Sequence, residues 1–228
     1  LVVLDDGQLL SAFDLGEAVE SVDYRSYLSR SSDNGHTWTP PSRIFPDAND
    51  RLQRHTARLT PLRDGTIVAM GSRRYLEHAE EDVFNRATFG GLPGELILLR
   101  SKDQGHTWQG PTVVQSPLSN PLEICHAVIE LADGRWLLPT SILRHWDGTA
   151  PDGVKAVALV SEDEGRTWNG HLDVLDSYDR GCAHFEVSLI QLPDGRLLAA
   201  SWEFEFASGR SHPLPYAISA DGQTFGPA

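Results

Sequence analysis

Ser101-Lys102-Asp103-Gln104-Gly105-His106-Thr107-Trp108 is one of three near-copies of an eight-residue pattern, Ser-x-Asp-x-Gly-x-Thr-Trp. The others are Ser31-Ser32-Asp33-Asn34-Gly35-His36-Thr37-Trp38 and Ser161-Glu162-Asp163-Glu164-Gly165-Arg166-Thr167-Trp168. A fourth copy, one residue shorter, is Ser219-Ala220-Asp221-Gly222-Gln223-Thr224-Phe225. The box aspartates at 33, 103, 163 and 221 lie 70, 60 and 58 residues apart, and a recurring period is the mark of a repeat architecture. Each box reads as a turn. The short Asp side chain accepts hydrogen bonds from amides two or three residues on, Gly takes the conformation other residues avoid, and Trp buries its ring against a sheet. The boxes are therefore expected to be turn staples without chemistry, with Trp38, Trp108 and Trp168 largely buried.

A second pattern interleaves with the first. Leu4-Asp5-Asp6-Gly7, Leu62-Arg63-Asp64-Gly65, Leu131-Ala132-Asp133-Gly134 and Leu192-Pro193-Asp194-Gly195 are each followed, one residue on, by an apolar pair. Asp-Gly between apolar runs is a strong hairpin signal. Each unit then reads strand A, Asp-Gly turn, strand B, variable loop, strand C, box, strand D, which describes a propeller blade. The expected fold is all-β, a β-propeller of four-stranded antiparallel blades. It would form a single incomplete domain over 1–228, with repeat units of roughly 1–48, 49–116, 117–178 and 179–228. About three and a half blades are counted, so the chain reads as an internal piece of a longer propeller.

Composition excludes other classes. Lys plus Arg number 19 against 32 Asp plus Glu, a formal charge of −13, opposite to what a nucleic-acid binder needs. No apolar run reaches the length of a membrane-spanning helix. Two cysteines exclude a disulfide-dense scaffold. Cys125 and Cys182 could pair, but two buried thiols are the favoured expectation. Neither a cofactor nor a metal is expected. His55 and His126 have the wrong strand parity to join His184, while His36 and His106 belong to exposed turns.

Aligning the complete A strands on their Asp-Gly turns separates two faces, because strand side chains alternate. Arg54, Thr56, Arg58, Glu123, Cys125, Ala127, His184, Glu186 and Ser188 share one parity. His55, Ala57, Leu59, Ile124, His126, Val128, Phe185, Val187 and Leu189 share the other, mostly apolar one. The second set is expected to pack between sheets, and a bulge would flip the assignment locally.

The boxes resemble the Asp-boxes, or BNR repeats, of the sialidase (neuraminidase) superfamily, and the resemblance spans essentially the whole chain. It implies a propeller six-bladed when complete, with the active site on one face near the starts of the A strands. Glu186-Val187-Ser188-Leu189-Ile190-Gln191-Leu192-Pro193-Asp194-Gly195 is similar to the sialidase strand whose first glutamate takes the proton of a tyrosine nucleophile. That tyrosine is expected beyond Ala228, with Tyr24, Tyr27, Tyr75, Tyr178 and Tyr216 as weaker substitutes. The acid/base position falls on Glu20 in an acidic loop, with Asp23 close by. Arg54, Arg58, Arg73, Arg74 and Arg144 are candidates to clamp a substrate carboxylate, since guanidinium matches carboxylate bidentately. Glu123 and His184 complete the expected mouth. Trp202-Glu203-Phe204-Glu205 stands where sialidases often place an arginine, and Trp202 would stack on a sugar or fill the core.

The expected function is sialidase-like hydrolysis of a glycan at an acidic sugar, by a secreted or periplasmic protein. Two alternatives remain open. One is a polysaccharide lyase on the same scaffold, recognised by an unsaturated, ultraviolet-absorbing product. The other is a non-catalytic carbohydrate- or protein-binding propeller.

Overall fold

A computed structural model describes residues 1–47 and 49–226. It is all-β, built of antiparallel sheets that follow the repeat. The first sheet runs in order β1 (Val2–Val3), β2 (Leu9–Leu15), β3 (Arg25–Ser31) and β4 (Ser42–Arg43). The second contains β5 (Gln53–Pro61) and β6 (Ile67–Tyr75). A small hairpin of β7 (Phe84–Asn85) and β8 (Gly90–Gly91) follows, and β9 (Glu95–Ser101) and β10 (Gln109–Val114) complete the second sheet in the order β5-β6-β9-β10. In the third, the A position is split into β11 (Leu122–Glu123) and β12 (Ile129–Glu130), both paired to β13 (Trp136–Ile142), which pairs with β14 (Ala156–Ser161) and then β15 (Gly170–Leu175). The fourth joins β16 (Cys182–Gln191) to β17 (Leu197–Glu205), whose other edge carries β18 (Arg210–Ser211) and β19 (Tyr216–Ser219). These are the blades of a β-propeller. The chain forms two compact units, Leu1–Val83 with Gly94–Val114, and Phe84–Pro93 with Gln115–Ala228.

All four Asp-Gly turns close as expected. The Gly7, Gly65, Gly134 and Gly195 amides donate to Leu4, Leu62, Leu131 and Leu192 carbonyls, and these glycines hold φ between 82° and 91°, where a Cβ would be strained. The three complete boxes lie between strands C and D, and the fourth follows β19. In each complete box one Asp oxygen accepts from the Thr amide four residues on and from the Ser hydroxyl, and the other accepts the Thr hydroxyl. The amide partner is thus farther along than expected, because two consecutive residues turn left-handed. Asn34, Gln104 and Glu164, at φ 57°, 58° and 61°, precede their glycines. In the shorter fourth box Asp221 takes the nearer amides of Gln223 and Thr224.

The apolar parity forms the core within each unit. In the first unit Ala57 and Leu59 of β5 pack with Ile67, Ala69, Ile97, Leu99 and Leu10. In the second, Val187 and Leu189 of β16 pack with Leu131, Leu137, Leu197 and Ala199. Three expectations are corrected. Trp168 is 3% exposed and Trp108 half-buried, but Trp38 is 40% exposed. The second box leans on the first repeat, where Arg30 donates to the Gln104 carbonyl and Trp108 packs on the Leu10 cluster. The A strand of the third repeat is interrupted between Glu123 and Ile129. Within that break Cys125 is exposed while Cys182 is buried, and no disulfide joins them.

The boxes are expected to make stability acid-sensitive. Hydrogen bonds from Thr37 and Thr167 hold Asp33 and Asp163 down to about 2, from an ordinary 3.8. Asp103 and Asp221 are also lowered, by Thr107 and Thr224. A depressed folded-state value means stability is fully present above about pH 4 and is lost as pH falls towards 2. Melting curves between pH 5 and pH 2 should show this loss, and an Asp103→Asn variant should show a shallower one. An unchanged slope would exclude the boxes as its source.

Candidate functional site

In the first unit the candidate residues gather around the ends of β5 and β6. Arg54 is buried, and its guanidinium donates to the Glu20 carbonyl and pairs with the Glu20 carboxylate at 3.4 Å. Burial pushes Arg54 down to about 10, Glu20 opposes that shift, and Arg74, its cross-strand neighbour, adds to it. Arg58 pairs with Asp14 at 2.8 Å, and Asp14 also accepts the Ser26 hydroxyl. Arg73 is buried and pairs with Glu95 at 2.6 Å. Asp23 does not face these groups through a hydrogen bond. It holds the acidic loop closed by accepting the Glu17 amide and the Ser21 hydroxyl, and the latter chiefly lowers its carboxyl, which suits a turn lock better than a proton donor. Tyr24 lies in the field of Asp14, Arg58, Glu20 and Arg54. Burial first, then Asp14, raises its phenol, so the environment disfavours a nucleophilic phenolate. His55 stacks on Phe45 and is driven by burial down to about 3, a neutral core histidine.

In the second unit a bulge decides the geometry. Pairing of β16 with β17 runs through Phe185 opposite Trp202 and resumes at Ser188 opposite Ala200. Two residues, Glu186 and Val187, therefore stand against Ser201 alone. Glu186 takes the left-handed conformation, φ 52°, rare for a non-glycine residue and a pointer to a functional constraint. Its side chain is exposed, and no hydrogen-bond partner of its carboxylate is found among the described residues. Its amide donates to Glu123 Oε2 at 2.9 Å. The bulge thus sets the Glu186 backbone amide against the Glu123 carboxylate, joining candidate residues of β11 and β16.

The same bulge separates His184 from them, correcting its expected parity with Glu186. His184 is buried, bonded through Nδ1 to the Ser201 hydroxyl and through Nε2 to the Ser177 hydroxyl, and lowered by burial. Arg144 follows β13, donates to the Thr88 carbonyl, and lies 4.0 Å over the Phe206 ring. Trp202 is half-buried and packs on Phe185 and Phe204. Among the described residues no helix is long and apolar enough to cross a membrane.

Beside His184 lies a polar cluster that the sequence reading did not assemble. Arg180 pairs with Glu203 at 3.0 Å, and His212 Nδ1 lies 3.2 Å from the same carboxylate. Burial alone would raise Glu203, but the Ser177 hydroxyl and the neighbouring His184, Arg180 and His212 hold it below the ordinary range. The sequence signal was the alternation of Cys182 with His184, Glu203 with Glu205 and Arg210 with His212. Only the strand register makes them neighbours.

No family model and no curated protein matches this chain. Solved structures do. A protein of unknown function from Dyadobacter fermentans DSM 18053 is 22% identical with a TM-score of 0.74, over 98% of this chain and 65% of its own. The Hadza microbial sialidase Hz136 is 19% identical with a TM-score of 0.70, over 96% and 43%. The Penicillium chrysogenum α-L-arabinanase complexed with arabinobiose is 19% identical with a TM-score of 0.68, over 98% and 62%. The chain thus spans about two fifths to two thirds of the length of these structures, and what it shares with them is the β-propeller fold found among sialidase- and arabinanase-type glycosidases.

Proposed function

We propose that the protein hydrolyses a glycosidic bond with Glu123 and Glu186 as its carboxylate pair. The observation that carries this reading is the bulge, which turns Glu186 outward while its amide holds Glu123 Oε2. Glycoside hydrolysis commonly needs one carboxyl to protonate the leaving oxygen and a second to attack or to activate water. Glu123, anchored by the amide, suits the second role. Glu186, whose carboxylate has no hydrogen-bond partner among the described residues, is left for the first. The fold shared with sialidases and an arabinanase supports a sugar substrate.

A second reading keeps the acidic sugar and a sialidase-like route. It is favoured by the cross-strand pair of Arg54 and Arg74, whose adjoining positive charges suit a sugar carboxylate. Arg54, Arg58 and Arg73 already hold Glu20, Asp14 and Glu95, which leaves less of the expected arginine clamp for substrate.

Aryl glycosides of arabinofuranose, of neutral pyranoses and of sialic acid, offered side by side, separate the readings. Release of the phenol from a neutral glycoside is the expected result. Release from the sialoside alone favours the second reading. An unsaturated, ultraviolet-absorbing product from a uronate polymer would identify a lyase. Glycan binding without turnover would identify a lectin-like propeller.

A further inference from the structure

The register of the fourth sheet builds a second polar centre. Cys182 pairs with Glu205 and His184 with Glu203 across β16 and β17, and Glu205 pairs in turn with Arg210 on β18. The His212 amide donates to the Glu203 carbonyl at 2.9 Å, which continues this pairing one step past β18. With side chains alternating, two rows share one face, Cys182–Glu205–Arg210 and His184–Glu203–His212. The opposite face carries Phe185, Trp202 and Phe204, packed on one another. One ligand atom each from Cys182, Glu203 and His212 lies within 4.8 Å of the other two.

We propose that Cys182, Glu203 and His212 form a binding site for a divalent transition metal of the zinc type. A thiolate, an imidazole nitrogen and a carboxylate oxygen are the donor set this borderline-soft ion takes, and three protein ligands leave a fourth position for water. Cys182 and Glu203 are buried, so the ion would be held partly out of water. The His212 side chain is 26% exposed, which offers a route in. Its Nε2 is buried and short of a full hydrogen bond, with the Glu205 carboxylate 3.9 Å away. Arg180, with a side chain 71% exposed, places its guanidinium on Glu203. It is a cation tethered from outside, and it can swing into solvent when a metal ion takes its place. His184, 4.0 Å from Glu203 Oε1 and fixed by two serine hydroxyls, backs the carboxylate from the other side. On binding, the Cys182 thiol gives its proton to solvent. The site rests on none of the residues assigned to sugar hydrolysis, so either assignment can fail without the other.

The test is a titration of metal-free protein with Zn²⁺ by calorimetry and with Co²⁺ by absorbance. One equivalent of each should bind, and Co²⁺ should show the thiolate-to-cobalt charge-transfer band and the intense visible bands of a four-coordinate site. Cys182→Ser should abolish the charge-transfer band. Cys182→Ser and His212→Gln should each weaken Zn²⁺ binding by more than the roughly 10–100-fold that loss of an outer-shell partner costs. Cys125→Ser should change neither. Circular dichroism checks that the variants fold, and Zn²⁺ should raise the melting temperature of the wild type but not of His212→Gln. Absence of stoichiometric binding would overturn the proposal. So would binding without the thiolate band, or binding equal in wild type and both ligand variants.

Discussion

A Glu186→Gln variant is expected to fold normally and to lose roughly 10²–10⁴ in turnover on a natural glycoside, the scale of a lost general acid or base. The substitution is structurally mild. The carboxylate is exposed and makes no side-chain hydrogen bond among the described residues, and the amide that holds Glu123 belongs to the backbone. Glu123→Gln should cost at least as much, and it too preserves an oxygen to accept the Glu186 amide. The two variants differ in their response to the leaving group. An acidic phenol departs without protonation, so Glu186→Gln should recover most of its rate on a dinitrophenyl glycoside. Glu123→Gln should stay slow on both substrates, because it removes the group that attacks or activates water. Near-normal turnover by both variants, with unchanged melting curves, would reduce the pair to structural carboxylates. The reverse leaving-group pattern would exchange their roles.

The strand plan was legible because it is written in residues with few conformational alternatives. Asp-Gly at four places and the Ser-x-Asp boxes at four others fix where the chain turns, and the apolar parity of Ala57, Leu59, Val187 and Leu189 fixes which face is core. The site was less legible because it depends on departures from that plan. Nothing in Phe185-Glu186-Val187 announces a bulge. Glutamate has no preference for positive φ, so the surrounding sheet, not local propensity, holds Glu186 there. One inserted residue moves His184 to the inside and Glu186 to the outside. Ile124-Cys125-His126-Ala127-Val128 likewise carries strand-compatible apolar residues at both ends yet leaves the ladder. The Cys182–Glu203–His212 cluster needed the register of three strands at once, which periodicity within each strand cannot supply.

The box tryptophans offer the other large effect, and a graded one. Trp168 is 3% exposed, so truncation to alanine removes a full ring from packed surroundings and should cost roughly 3–5 kcal/mol. Trp38 occupies the same box position but is 40% exposed, and its indole donates only to its own turn, at the Gly35 carbonyl. Trp38→Ala should therefore cost about 1 kcal/mol, the scale of an ordinary partly exposed substitution. Trp108 belongs to the same compact unit as Trp38 and packs on the Leu10 cluster, so Trp108→Ala should fall between them. Comparing Trp108→Ala with Trp38→Ala within one unit removes any difference in how the two units unfold. Chemical denaturation followed by far-ultraviolet circular dichroism gives the three values. Equal losses at all three positions would mean that the tryptophan stabilises its own turn alone. The predicted gradient would instead place its worth in the packing around each ring.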